Sequence, residues 1–156
     1  MSKKALILLV PIALLFFFVY SNMAKQSAEN SANTKKIILP DPLSIQSKVN
    51  KHRVGSGLPE LANDEDLCIF AQKRADKLES LDWYTTPHPM LEEDHKNSSI
   101  SERLISENLG AGYNEDVVID GWLKSESHRS AIENKEYTKT CVATNKTLVV
   151  QIFSDK

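Results

Sequence analysis

Residues Ser106–Arg129 read SENLGAGYNEDVVIDGWLKSESHR, and the fold is decided by how this stretch is parsed. Glu107-Asn108-Leu109 is strand-like, and Gly110-Ala111-Gly112 reads as a turn. Asn114 is then a good N-cap, and Glu115 and Asp116 suit the positive end of the helix dipole. Val118, Trp122 and Ser125 fall on one face of that helix. Ser127 is expected to cap a last short helix carrying His128, Ala131 and Ile132. A carboxylate and an imidazole, groups that bind metals or move protons, thus stand at the two ends of a short strand–helix–turn unit.

Downstream, Cys141–Thr144 and Thr147–Phe153 flank Asn145-Lys146, the pattern of a β-hairpin. The second arm is almost continuously apolar, so it is expected at the centre of a sheet. Upstream, Asp41-Pro42 reads as an N-cap with proline at the first helical position. The helix runs from Pro42 to about His52, with Leu43, Ile45 or Gln46, and Val49 on its apolar side, and Gly55-Ser-Gly57 ends it. Asn63 or Asp64 caps the next helix, which runs to about Ser80. Its apolar residues Leu67, Cys68, Phe70, Ala71, Ala75 and Leu78 recur at spacings of three and four. Leu81–Ser99 reads as loop, with His88 restrained between two prolines and the acidic run Glu92–Asp94 as a solvated segment. Ile100–Ile105 reads as a short helix. Helices first and strands last predict an α+β domain, with helices packed on a small antiparallel sheet.

The chain has 156 residues, 41% hydrophobic and 26% charged, which fits one globular domain. The first 24 residues stand apart from it. Lys3 and Lys4 precede the apolar run Ala5–Tyr20, the layout of a secretory signal peptide or a retained signal anchor. In either case the domain lies outside the cytosol, secreted or held at the outer face of a membrane. Residues 25–41 are expected as a flexible linker, rich in Ser, Asn, Ala, Gln and Lys, although Ile37-Ile38-Leu39 within it is apolar enough to dock on the domain edge. The domain proper is placed at 42–156. Without Lys3 and Lys4 the chain keeps 17 basic against 21 acidic side chains. That mild acidity and the lack of a Lys/Arg cluster argue against nucleic acid as a partner. Export allows one disulfide between Cys68 and Cys141; the alternative is two buried thiols that never meet.

Three constellations could carry chemistry. His88, or His95 in its place, with Glu107 and His128 forms a two-imidazole, one-carboxylate set of the kind that suits zinc with an open fourth position. The competing structural reading is that Glu107 caps backbone N–H groups and His128 is a surface histidine. A serine triad of Ser125 or Ser127 with His128 and Glu107 lacks a GxSxG elbow. A Cys68 thiol protease is disfavoured because Cys68 sits on an apolar helix face.

Several motifs in one order carry a family resemblance. They are Asn50-Lys-His-Arg53, Gly57-Leu-Pro-Glu-Leu61, the Leu67/Ala71/Ala75 helix, Glu107-Asn-Leu-Gly-Ala-Gly112, Trp122, Ser125-Glu-Ser-His-Arg129 and the closing hairpin. Over residues 43–154 this order resembles the CAP superfamily (cysteine-rich secretory, antigen 5, pathogenesis-related 1), in particular its compact bacterial-type SCP domains. The resemblance implies an α–β–α sandwich and an envelope or extracellular location. It also implies a cleft lined by His88, Glu107, His128, Ser125 and Glu126 that holds zinc or another divalent cation weakly. Ser125 stands where many members carry a second glutamate. The expected function is a binding module for a lipid, glycan or protein. The alternative is a metal-assisted hydrolase of peptides or envelope polymers, with Glu107 as general base.

Overall fold

The computed structural model describes residues 39–81, 91–101 and 103–156, which belong to one compact unit. The expected signal segment 1–24, most of the linker, and His88 lie outside the described residues.

Asp41 caps helix α1 (Pro42–Gly55), its two carboxylate oxygens accepting from Leu43 N and Ser44 N. Ile45, Val49 and Arg53 form its buried side, whereas Leu43 is 73% exposed. The helix stops at Ser56, and Gly57 takes the left-handed turn at φ 76° that a side chain would resist. A two-residue strand β1 (Ala62–Asn63) follows. Asp64 then caps helix α2 (Glu65–Ser80) by accepting from Leu67 N.

The segment expected as loop contains a short helix α3 (Leu91–Lys96). The described residues of the helix expected at Ile100–Ile105 are not helical. Ile105 instead opens strand β2 (Ile105–Ala111), which also absorbs Gly110 and Ala111 from the expected turn. The reason is non-local: all seven β2 residues pair with the C-terminal strand. Helix α4 (Glu115–Lys124) has its expected cap, Asn114, accepting from Asp116 N. Helix α5 (Glu126–Ile132) starts two residues earlier than expected, because extended Ser125 both ends α4 and opens α5. Ser127 is therefore inside the helix and is not its cap. Strands β3 (Lys139–Asn145) and β4 (Leu148–Ser154) form the hairpin, turning at Lys146 with φ 51°.

The sheet order is β1-β3-β4-β2, so β4 is internal, paired antiparallel with both neighbours, while β1 runs parallel to β3. Alternation along the fully buried β4 feeds two cores. Val149 and Phe153 pack with Ile45, Val118, Trp122 and Ile132 from α1, α4 and α5. Leu148, Val150 and Ile152 pack with Leu67, Phe70, Ala75 and Leu78 of α2. This is the α–β–α sandwich. A disulfide, Cys68–Cys141, ties α2 to β3.

Candidate functional site

Glu107 and Asn108 are adjacent on β2, so the pleat sends their side chains to opposite faces. Glu107 turns toward α2. There Arg74 sits in the apolar stripe Leu67, Phe70, Ala71, Arg74, Ala75 and Leu78, with only 2% of its surface exposed. A guanidinium in that position needs compensating acceptors. It donates from Nε to Glu107 Oε2 at 2.7 Å and from Nη2 to Glu107 Oε1 at 3.0 Å, a two-point clamp on the carboxylate. Its Nη1 donates to Asp94 Oδ2 at 2.7 Å, and Lys77 Nζ donates to Asp94 Oδ1.

Burial alone would raise the Asp94 carboxyl, but hydrogen bonds from Lys77 and Arg74 and their charges outweigh it and hold it below the usual carboxylate range. Burial likewise opposes the charge on Arg74, and Glu107 followed by Asp94 more than restores it. The four groups are fixed as alternating charges. Asp94 thus does not belong to a solvated acidic run, as expected; a turn of α3 brings it against two cations.

Asn108 points the other way and donates from Nδ2 to the His128 carbonyl oxygen at 3.0 Å. That bond docks α5 beside β2. The far end of α5 is held by Arg53, fully buried, which donates to the carbonyls of Pro59, Ile132, Asn134 and Tyr137. His52 adds a contact of 2.8 Å to Glu133. The Asn50-Lys-His-Arg53 motif therefore positions the helix of His128. Burial pushes the His128 imidazole below its ordinary value, favouring the neutral ring. Among the described residues no hydrogen bond joins that ring to Glu107.

His95 Nε2 lies 2.8 Å from the carbonyl oxygen of Ile100. Since a carbonyl only accepts, Nε2 carries a proton, and Nδ1 is the nitrogen left for any other ligand. Ser125 Oγ and Ser127 Oγ lie 3.1 Å apart, next to exposed Glu126. No group of three His, Cys, Asp or Glu side chains among the described residues is arranged to hold a metal ion. Without His88, the described residues do not by themselves fit a zinc ion, because both oxygens of the one expected carboxylate face a guanidinium.

Beside the clamp, α2 and the α3 turn enclose a cleft of about 330 Å³, lined by Ile69, Phe70, Lys73, Arg74, Lys77 and Asp94 and rimmed by Asn97, Ser98 and Ser99. Arg74 and Lys77 were not singled out from sequence, and Asp94 was read there only as part of a solvated acidic run. The available signal was Arg74 itself, a charge at the spacing of the buried α2 stripe, which demands a buried acid elsewhere.

An α–β–α sandwich carrying an ENL strand and a histidine helix after the tryptophan helix is the architecture of an SCP domain. The family model described as CAP, the cysteine-rich secretory protein family, matches residues 46–149, and the chain belongs to that family. No curated protein matches it in sequence. Several solved structures share the fold, three of them as follows. An extracellular SCP-domain protein from Bacillus anthracis has a TM-score of 0.66 and 24% identity over 74% of this chain and 40% of its own. A cysteine-rich secretory protein from Staphylococcus aureus gives 0.61 and 22%, over 73% and 38%. An outer surface protein from Borrelia burgdorferi gives 0.61 and 24%, over 72% and 90%. The match thus spans well under half the length of the first two proteins.

Proposed function

We propose that this chain is an exported CAP domain that binds a lipid, glycan or protein and does not turn it over. The observation that supports this most is the Arg74 clamp. Both oxygens of Glu107 are engaged at 2.7 and 3.0 Å, so the carboxylate expected to act as general base would first have to leave its guanidinium. The adjoining cleft supplies the concavity that a binding module needs. Export is supported by the Lys3-Lys4 and Ala5–Tyr20 pattern and by the disulfide, a bond that persists in oxidising compartments. The similar solved proteins described as extracellular or outer-surface point the same way.

One observation favours a second reading, a weak divalent-metal site of His88, Glu107 and His128 with hydrolytic activity. The lowered pKa of His128 keeps its imidazole in the metal-binding form at neutral pH. Zinc titration of the full-length protein, followed by peptide and envelope-polymer hydrolysis assays, decides between the two. The binding reading expects no metal-dependent turnover in the wild type. Zinc-dependent turnover by the wild type, abolished by chelation and restored by added zinc, would overturn it.

A further inference from the structure

We propose that the α2–α3 cleft is an oxyanion site, taking a ligand that carries phosphate or carboxylate groups; this rests on the binding reading above and names its chemistry. Phe70, Lys73, Arg74 and Lys77 occupy successive positions of one α2 face, so three cations share the wall of a cleft of about 330 Å³. Their compensation is incomplete. Arg74 is matched by Glu107, and Asp94 lies between Arg74 and Lys77. Lys73 is exposed, and no carboxylate lies within ion-pair distance of it among the described residues. The open charge is thus that of Lys73, in a chain whose net charge is −2.

The internal ion pairs also shape what the cleft presents. Asp94 draws the Lys77 ammonium to the cleft wall and spends both oxygens on Lys77 and Arg74, so its own charge is turned inward. The Lys77 side chain remains 40% exposed. Lys73 and Lys77 are one helical turn apart on the same face, the spacing at which two ammonium groups can grip one oxyanion or two neighbouring ones. Opposite them, Ser99 is exposed with no intramolecular hydrogen bond among the described residues, a neutral donor on the rim. Ile69, 49% exposed, adds an apolar shoulder for the uncharged part of the ligand.

A repeating phosphate polymer and a repeating uronate both meet these requirements, and the test separates them. Full-length protein in detergent is titrated calorimetrically with polyphosphate, polygalacturonate and neutral dextran of similar length, at low and high salt. One polyanion is expected to bind, more weakly as salt rises, with dextran inert. Lys73→Gln should weaken binding about tenfold, the size of one charge-assisted hydrogen bond, and Lys73→Arg should retain it. Lys124→Gln, on the opposite layer and exposed, should leave affinity unchanged. No binding of either polyanion, or equal loss in Lys124→Gln, overturns the oxyanion site. Dextran binding that survives Lys73→Gln overturns it too, while leaving the binding-module reading intact. Metal-dependent turnover is the separate result that removes that reading.

Discussion

Arg74 governs the site at the scale of single residues, because it is the cation on which Glu107 and Asp94 converge. Removing one acidic partner of a buried cation leaves its charge only partly compensated, which is strongly destabilising. Glu107 is 11% exposed and Arg74 2% exposed at their side chains, so water cannot replace the lost contact. Glu107→Gln keeps the shape and deletes the charge. It is expected to destabilise the fold by about 3–5 kcal/mol in urea denaturation. A change below about 1 kcal/mol would mean that the clamp is a solvated pair of little weight. Glu107 and His128 stood out in sequence by residue type beside recognisable turns. Arg74 did not, because a basic residue on an amphipathic helix ordinarily faces water. Only its place in the 67, 70, 71, 74, 75, 78 stripe marks it as buried.

Elements with local signals were legible, and those made by distant pairing were not. Asp41, Asp64 and Asn114 cap their helices because each offers an oxygen to orphan N–H groups, a property of the residue and its immediate neighbours. Strand β2 extends through Gly110-Ala111 because β4 pairs with it and α4 packs closely over it, and neither fact is local. A Cβ built on Gly110 would lie 2.9 Å from Val118 Cγ1 and 3.1 Å from Trp122 Nε1. Trp122 is fixed in turn by its Nε1 donating to Leu109 O at 2.8 Å, so the indole cannot withdraw without losing a partly buried hydrogen bond. Gly110→Ala should therefore push α4 off the strand and cost about 1–3 kcal/mol. Gly121→Ala meets nothing within 4 Å and lies inside α4, so it is the matched control, expected to be neutral or slightly stabilising. Thermal unfolding of the two variants reads the difference, and equal melting temperatures would contradict the close approach.

Across the whole molecule, the two layers share one sheet but have separate cores, and both β3 and β4 alternate between them along their length. The α+β class was legible from helices preceding an apolar hairpin, whereas the α–β–α layering was implied by the family resemblance. The parallel pairing of β1 with β3, Ala62 to Lys139 and Asn63 to Thr140, had no sequence signal, because a two-residue strand carries no periodicity. The Cys68–Cys141 bond was left open in the sequence because cysteine spacing alone does not distinguish a bridge from two separate thiols. In the structure it joins residues 73 apart, stapling α2 onto β3. A crosslink of that span restricts the unfolded chain, and its loss should cost about 2–5 kcal/mol. The staple sits on the layer that carries Arg74 and the cleft, so its consequences should be unequal. Reduction, or the double variant Cys68→Ser/Cys141→Ser, should lower the denaturation midpoint and accelerate amide exchange in α2 before α1 and α4, whose core lies across the sheet. Uniform acceleration in all three helices would show that the two layers unfold as one unit and that the bond stabilises the sandwich globally.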